Sequence, residues 1–353
     1  MKIFITSDWH LDAVTAGRER IDEVSAAAWH IAKQTALQSN NAFVFLGDLC
    51  NPSTARAHRA DAVATAVAAY LRSRVQQFWL VGNHDIVEDG RGTHTLMGVD
   101  GGGAQVCATP GVFTPATNLA FVFLPYPAIT KNYDVLKVAA DLVERCRVSN
   151  IVVFSHLDIR GAVEGSESGD MARGRRVYLP VDEIRTVAER QSKNIRFFNG
   201  HYHKRQSLNG VDIPGSIARL RFDEERNVPV YLTVDVAADG TTGDVLAHEV
   251  PNAATMRTWN VADGDPPTDI DFIRLQGERA RTRAVAADIE ADPNRKQAVK
   301  VDVQPTTTRG ANPATKPGSK PRDVALAIAN TAPAAIRDEV AAMVERIMGQ
   351  VGI

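Results

Sequence analysis

The sequence predicts an α/β protein, and two observations carry that expectation. Short apolar runs of strand length alternate with stretches of helical periodicity. Polar residues able to bind a metal recur directly after the strand-like runs. The alternation favours a sheet with helices packed outside it. The recurrence favours a ligand site at the carboxyl ends of strands, where open α/β sheets form their crevices.

Residues 2–6 read as a short buried strand, and 18–38 as a helix with Ile21, Val24, Ala28, Ile31 and Thr35 on one face. Residues 42–46 form a second apolar run, 55–75 an alanine-rich helix, and 78–81 a third strand. Between 88 and 117 the pattern weakens around Gly101-Gly102-Gly103. Runs at 119–124, 151–155 and 195–199 restore the strands, separated by helices near 134–147 and 181–191. After His203, segments 206–213, 217–222 and 229–236 read as a β-meander with Asn209-Gly210 as a hairpin turn.

A boundary is expected near Pro251. Beyond it 272–275, 278–291 and 298–303 suggest a small β-α-β unit. Residues 305–321, rich in Thr, Pro, Gly and Lys, read as a flexible linker. The tail reads as helical, with Pro333 as a break and Ile336, Val340, Met343, Val344 and Ile347 as an apolar stripe. The expected organisation is therefore a main domain over 1–250, a small cap over 251–304, a linker over 305–321 and a helical partner-binding tail over 322–353.

Over 353 residues, 40 Lys and Arg against 42 Asp and Glu leave a formal charge of -2, which excludes a basic field over the whole chain. A nucleic-acid partner would have to be held by local patches. Cys50, Cys107 and Cys146 have no CxxC spacing and are odd in number, which argues against a disulfide framework and fits a reducing compartment. The N-terminus runs straight into a strand, and no apolar run approaches the roughly 20 residues needed to span a bilayer. The expected location is cytoplasmic, with no membrane partner.

The chemistry sits after the strands. Asp8-Trp9-His10 follows the first, and in extended backbone residues two apart share a side, so both can approach one cation. His201-Tyr202-His203 repeats that device. Gly47-Asp48, Gly82-Asn83-His84-Asp85 and Ser155-His156 follow three further strands. Imidazole and carboxylate without thiolate suit Mn²⁺, Fe²⁺ or Zn²⁺ over a soft-metal site, with Mg²⁺ a further candidate. Seven ligands exceed one ion; two ions roughly 3.5–4 Å apart, sharing a carboxylate, would use them all.

The set Asp8-x-His10, Gly47-Asp48, Gly82-Asn83-His84-Asp85, His156 and Gly200-His201-x-His203 resembles the calcineurin-like metallophosphoesterase superfamily. The resemblance implies a four-layer αββα sandwich. It also implies that Asp8, His10 and His203 hold one metal, Asn83, His156 and His201 the other, and that Asp48 bridges them. His84 would then be a catalytic residue facing the scissile phosphate, with Asp85 holding and polarising its ring; a loop cap is the other reading of Asp85.

Within that superfamily the chain is similar to the SbcD-like double-strand-break repair nucleases, on Gly200-His201-Tyr202-His203 followed by Ile213-Pro214-Gly215-Ser216, the Ser155-His156-Leu157 stretch, and the layout after Pro251. That branch implies a Mn²⁺-dependent DNA exonuclease and endonuclease, with Ser216 beside the metals as a substrate contact and the C-terminal helices docked on an SbcC-type coiled-coil ATPase. It also implies a homodimer through helices near 55–75, for which Ala62, Ala66, Ala69 and Tyr70 offer a close-packing face; packing on the protein's own sheet is the alternative. Arg160, Arg173, Arg175 and Arg176 flank a Gly-rich loop after His156 and are candidate phosphate-backbone contacts, or else a solvated loop. Asn51 departs from the branch, many of whose members carry a histidine there. The other function classes are a phosphatase or cyclic-nucleotide phosphodiesterase of the same superfamily, and a non-catalytic binding module.

Overall fold

The computed structural model describes residues 1–87, 92–128, 133–163 and 176–303. Its centre is two six-stranded sheets. The first has the order Thr242–Glu249, Val230–Val236, Lys2–Thr6, Ala42–Phe45, Gln76–Leu80, Gln105–Cys107. The last four of these run parallel, and Val230–Val236 pairs antiparallel with Lys2–Thr6. The second has the order Gln206–Leu208, Val211–Ile213, Asn194–Asn199, Asn150–Ser155, Leu119–Leu124, Gly111–Ala116, parallel at its centre and antiparallel at both edges.

Register explains why the ligands meet. Thr6 stands opposite Phe45, and Phe45 opposite Trp79, so three strands of the first sheet end level with one another. Ser155 stands opposite both Leu124 and Asn199, so the second sheet does the same. The loops carrying Asp8, Asp48, Asn83, His156 and His201 all leave from those ends.

The layers follow from which faces are apolar. Strands buried on both faces read as continuous apolar runs, not alternating ones; Leu119–Leu124 and Asn150–Ser155 are buried at every position. Between the sheets lies one core of Ile3, Ile5, Val44, Leu80, Phe121, Phe123, Phe154 and Phe198 with their neighbours. Phe154 stacks 5.2 Å from Phe123 and 5.7 Å from Phe198, and truncating such a fully buried ring costs about 3–5 kcal/mol. Helices Ile21–Thr35 and Ala57–Leu71 cover the outer face of the first sheet, and Val135–Arg145 and Val181–Arg190 that of the second. The result is helix, sheet, sheet, helix: the expected four-layer sandwich.

The helical period at 18–38 lands where the face analysis puts it, with Ile21, Val24, Ala28, Ile31 and Thr35 all buried. Helix Ala57–Leu71 buries Ala60, Ala64, Val67, Ala68 and Leu71, while Ala62, Ala66 and Ala69 are exposed and Tyr70 half-buried. Helix Val135–Arg145 begins at Asp134, whose side chain accepts from the Lys137 N–H. Asn209-Gly210 makes the expected hairpin, both residues at positive φ of 52° and 75°.

The meander does not form. Val211–Ile213 closes the second sheet and Val230–Val236 the first, and no strand lies over 217–222. Ile217 and Leu220 instead turn into the helix-side core of the first sheet. Thr242–Glu249 supplies the antiparallel partner of Val230–Val236; its largely exposed edge position hides it from a search for apolar runs. Gly111–Ala116, in the stretch where the pattern weakens, is half-exposed for the same reason.

Toward the C-terminus, Met256–Asn260, Phe272–Gly277 and Ala298–Val303 form a three-stranded sheet, with helix Arg279–Ala291 between the last two. Two compact units divide this region. The larger comprises Met1–Trp259, Pro266–Arg274 and Ile289–Lys300; the smaller includes Asn260–Asp265 and Leu275–Asp288. The linker and helical tail expected over 305–321 and 322–353 lie outside the described residues, as do Arg173 and Arg175. No helix among the described residues is long and apolar enough to cross a membrane. Cys50, Cys107 and Cys146 are buried, unpaired thiols.

Candidate metal centre

Both D/H-x-H segments are anchored by their middle residue. Trp9 is fully buried against Phe45 and Trp79, and its indole N–H donates to Thr6 Oγ1 at 2.9 Å. Tyr202 is buried too, with its hydroxyl accepting from the Ile159 N–H at 2.9 Å. With the aromatic ring held in the core, the flanking ligands face the crevice. The backbone that achieves this is not the extended one expected from spacing: Asp8, His10, Asp48 and His201 adopt φ of 52°, 43°, 63° and 77°. Non-glycine residues in this region cost on the order of 1 kcal/mol or more each and persist where surrounding structure enforces them.

That enforcement is visible. The Asp8 N–H donates to the Gly47 carbonyl, His10 to that of Asp48 and Leu11 to that of Leu49, zipping the first two loops together. Asp85 holds the second and third. Its Oδ2 accepts from the N–H groups of Asp48 and Gly82, and its Oδ1 from the Leu49 N–H and the Thr95 hydroxyl, at 2.7–2.9 Å. The expectation that Asp85 holds the His84 ring is therefore corrected, because its carboxylate is filled by backbone donors and Thr95. The motif glycines allow the loops to close: a Cβ on Gly82 would strike the Asp48 carboxylate, and one on Gly200 would strike Ser7, the Leu46 carbonyl and His156.

Two ligand groups result. Asp8, His10 and His203 bring one donor atom each within 4.8 Å of one another, and Asp48, His156 and His201 do the same. Asn83 joins the second group, its Oδ1 lying 3.0 Å from His156 Nε2 and 2.9 Å from His201 Nδ1. Asp48 Oδ2 stands 3.2 Å from His156 Nε2 and 3.7 Å from His10 Nε2, between the groups. All seven predicted ligand positions therefore converge.

The protonation pattern fits cations there. His203 Nδ1 donates to Glu224 Oε1 at 2.8 Å, so its Nε2 lone pair points at His10 Nε2, 3.0 Å away. Both Asp8 oxygens are buried with no hydrogen-bond partner among the described residues. His156 Nδ1 meets the Leu46 carbonyl at 2.6 Å, leaving Nε2 directed at Asn83 Oδ1 and Asp48 Oδ2, both acceptors. Acceptors facing acceptors in a buried site call for a positive charge between them.

The electrostatics without ions agree. Burial raises the Asp8 carboxyl, with the neighbouring Asp48 charge adding to the rise. Burial, together with His203, holds His10 well below its ordinary value, which keeps it neutral as a ligand must be. Burial opposes charge on His156, yet Asp48 and Asp8 beside it push it up to about 9. Burial works against the Asp48 charge, but His156, His84 and His10 around it hold its carboxyl well below the carboxylate range. Burial and Asp48 raise Asp85 to about 6. The donor set of imidazole, carboxylate and amide oxygen thus fits a pair of divalent cations.

His84 is placed at the mouth. Its backbone N–H donates to Asp48 Oδ1 at 2.9 Å, and its ring lies edge-on to His10 at 5.2 Å between centroids. Both rings line a cavity of about 210 Å³, with Asp12, Asn51, Thr54, His203 and Arg221. The Asn51 Oδ1 is used locally, accepting from the N–H and hydroxyl of Ser53. Arg160 and Arg176 line another cavity, of about 600 Å³, where Arg160 lies over the Tyr178 ring and Arg176 donates to its hydroxyl. Ser216 is corrected as a substrate contact: it is 3% exposed, its N–H donates to the His203 carbonyl and its hydroxyl to that of Ala218. It braces the loop behind His203.

Sequence reasoning missed the carboxylates behind the ligands. Glu224 is buried, grips His203 and accepts from the Leu220 N–H. Nothing in the sequence between His203 and Glu224 signals that contact. Asp158 is legible in retrospect, because His156-x-Asp158 repeats the two-apart device; its Oδ1 lies 3.8 Å from His201 Nε2 and its Oδ2 accepts from the Val177 N–H.

The family model for calcineurin-like phosphoesterases matches residues 1–205, more than half of the chain. No curated protein matches. Among solved structures, a dimetal phosphatase from Danio rerio aligns at 14% identity and a TM-score of 0.40, covering 71% of this chain and 99% of that one. A cold-active protein-tyrosine phosphatase of a psychrophilic Shewanella species aligns at 13% identity and a TM-score of 0.33, covering 69% of this chain and 79% of that one.

Proposed function

The chain belongs to the calcineurin-like phosphoesterase family, a metal-dependent hydrolase family, and from that premise we propose that it is a two-metal phosphodiesterase acting as a DNA nuclease subunit. The observation that carries the DNA reading is the turn Pro214-Gly215-Ser216. It packs directly behind His203: Gly215, at φ 82°, has no room for a Cβ against the His203 carbonyl and the Arg205 N–H, and Ser216 bridges to Ser7 beside Asp8. A Pro-Gly-Ser turn beside the metals is what the resemblance to the SbcD-like nucleases leads one to expect, and the turn supports that reading.

Asp8, His10 and His203 would hold one divalent ion, Asn83, His156 and His201 the other, and Asp48 both. When bound, such ions activate a water and neutralise charge on the phosphoryl oxygens. The protein's own contribution lies at the cavity. His84 stands where the departing sugar oxygen leaves and supplies its proton, which contributes about 10²–10⁴-fold. His10 and His203 close one wall, and Arg221 presents positive charge to the polyanionic substrate at the rim. Mn²⁺ is the proposed ion.

The tail over 322–353 is proposed to dock on an SbcC-type coiled-coil ATPase, and the exposed Ala62, Ala66 and Ala69 face to pair in a homodimer. The distinguishing experiment supplies Mn²⁺ with end-labelled linear DNA, a phosphomonoester and a cyclic nucleotide in parallel. DNA cleavage is expected. Activity on the monoester or the cyclic nucleotide alone would overturn the nuclease reading in favour of a phosphatase or cyclic-nucleotide phosphodiesterase.

A further inference from the structure

A second, smaller pocket adjoins the one at the metal groups. Its volume is about 190 Å³, below the ~300–1,000 Å³ usual for whole small-molecule ligands. The two pockets share Val14, Leu220 and Arg221, so Arg221 stands on the rim common to both. From there the smaller pocket is lined by Arg274 and Lys300, with Asp223 as its single carboxylate. Three cations against one anion is a local excess in a chain whose formal charge is -2.

Resting on the polynucleotide reading above, we propose that this pocket is a second phosphate subsite, in which Arg221, Arg274 and Lys300 take a backbone phosphate neighbouring the one at the metal groups. Arg274 is the built element. Its Nε and Nη2 both donate to Thr258 Oγ1, at 3.1 and 2.9 Å, and its guanidinium lies 5.4 Å from the centroid of the Phe222 ring. These contacts fix the fork while its Nη1 has no hydrogen bond among the described residues, so an anion would meet a group already oriented. Lys300 is exposed and adds a mobile point charge on the same pocket.

A volume of about 190 Å³ accommodates a tetrahedral anion. A phosphomonoester has its one phosphate at the metal groups and nothing to place here. A polynucleotide has a second phosphate in every repeat. The subsite therefore selects for chain length, which the metal groups alone do not.

The test uses the full chain and the variants Arg274→Gln, Lys300→Gln and their combination. Binding of a fluorescein-labelled oligothymidylate is followed by anisotropy across a salt series in EDTA, beside Mn²⁺ titration and hydrolysis of bis(4-nitrophenyl) phosphate. Each variant should weaken oligonucleotide binding severalfold and lower the slope of log affinity against log salt by about 1, the pair by about 2. Mn²⁺ binding and hydrolysis of the small diester should stay at the parent level. Unchanged affinity and slope in the double variant would overturn the subsite, as would a parent that binds no oligonucleotide. An equal loss on the small diester would overturn it too, since the residues would then serve the metal site itself. A parent that binds oligonucleotide through these charges yet cuts none would leave the subsite standing and sink only the nuclease reading. Lys300, being exposed, keeps the test informative if Arg274→Gln disturbs the fold.

Discussion

Glu224 Oε1 accepts a hydrogen bond from His203 Nδ1 at 2.8 Å, and the carboxylate is buried with its other oxygen on the Leu220 N–H. The bond fixes the tautomer of His203 and turns its Nε2 toward His10 and Asp8. Carboxylates in this position raise the basicity of a ligating imidazole and set its orientation, and their loss typically costs 10–100-fold in metal affinity.

Glu224→Ala should therefore weaken one Mn²⁺ site about 10–100-fold and leave the other within a few-fold of the parent. Glu224→Gln, which keeps an acceptor for Nδ1, should recover part of the loss. Isothermal titration with Mn²⁺ resolves the two sites. Two sites weakened equally would mean that Glu224 supports the fold and not His203.

His84 contributes no atom to either ligand group, and its contact with Asp48 is through the backbone N–H. His84→Gln keeps that N–H. Metal content should stay at two ions per chain while turnover falls about 100-fold or more. Metal analysis and single-turnover kinetics on the same preparation check this. Full turnover would remove His84 from proton delivery.

Asp85→Ala would strand the N–H groups of Asp48, Leu49 and Gly82 together with the Thr95 hydroxyl. Each buried donor left unpaired costs on the order of 1–3 kcal/mol. Urea unfolding of the metal-free protein should show a loss of several kcal/mol, with metal binding lost alongside because the Asp48 loop is no longer held. A variant as stable as the parent would show that water replaces the carboxylate.

The two halves of the centre were not equally legible in the sequence. The ligands themselves are readable, because strands such as Lys2–Thr6 and Asn150–Ser155 have apolar centres, Ile3 to Ile5 and Ile151 to Phe154, and the polar ligand just past each run stands out. The αββα layering is readable for the same reason. What spacing misstates is the backbone: extended geometry brings Asp8 and His10 to one side on paper, whereas the chain does it with left-handed residues around a buried Trp9. What it omits are partners made by tertiary closure. Glu224 meets His203 only because the chain after the ligand turns back onto it, and Arg274 meets Thr258 across the neighbouring strands Met256–Asn260 and Phe272–Gly277. Exposed edge strands such as Thr242–Glu249 are hidden because an edge has no need of a continuous apolar run.

If the buried acceptors around Asp8 and Asp48 are metal ligands, cations should stabilise the fold. Free Mn²⁺ at 100 times its dissociation constant should add about 2.7 kcal/mol per site, read as a rise in melting temperature that EDTA reverses. Gly200→Ala, whose Cβ would press on Ser7, the Leu46 carbonyl and His156, should abolish most of that rise. A melting temperature indifferent to Mn²⁺ would count against metal binding at these groups.

The most direct test of the centre is anomalous diffraction from crystals of the full chain soaked in Mn²⁺. Two anomalous peaks are expected, one contacted by Asp8, His10 and His203, the other by Asn83, His156 and His201, with Asp48 touching both. A single peak, or two peaks with no shared carboxylate, would contradict the two-metal account.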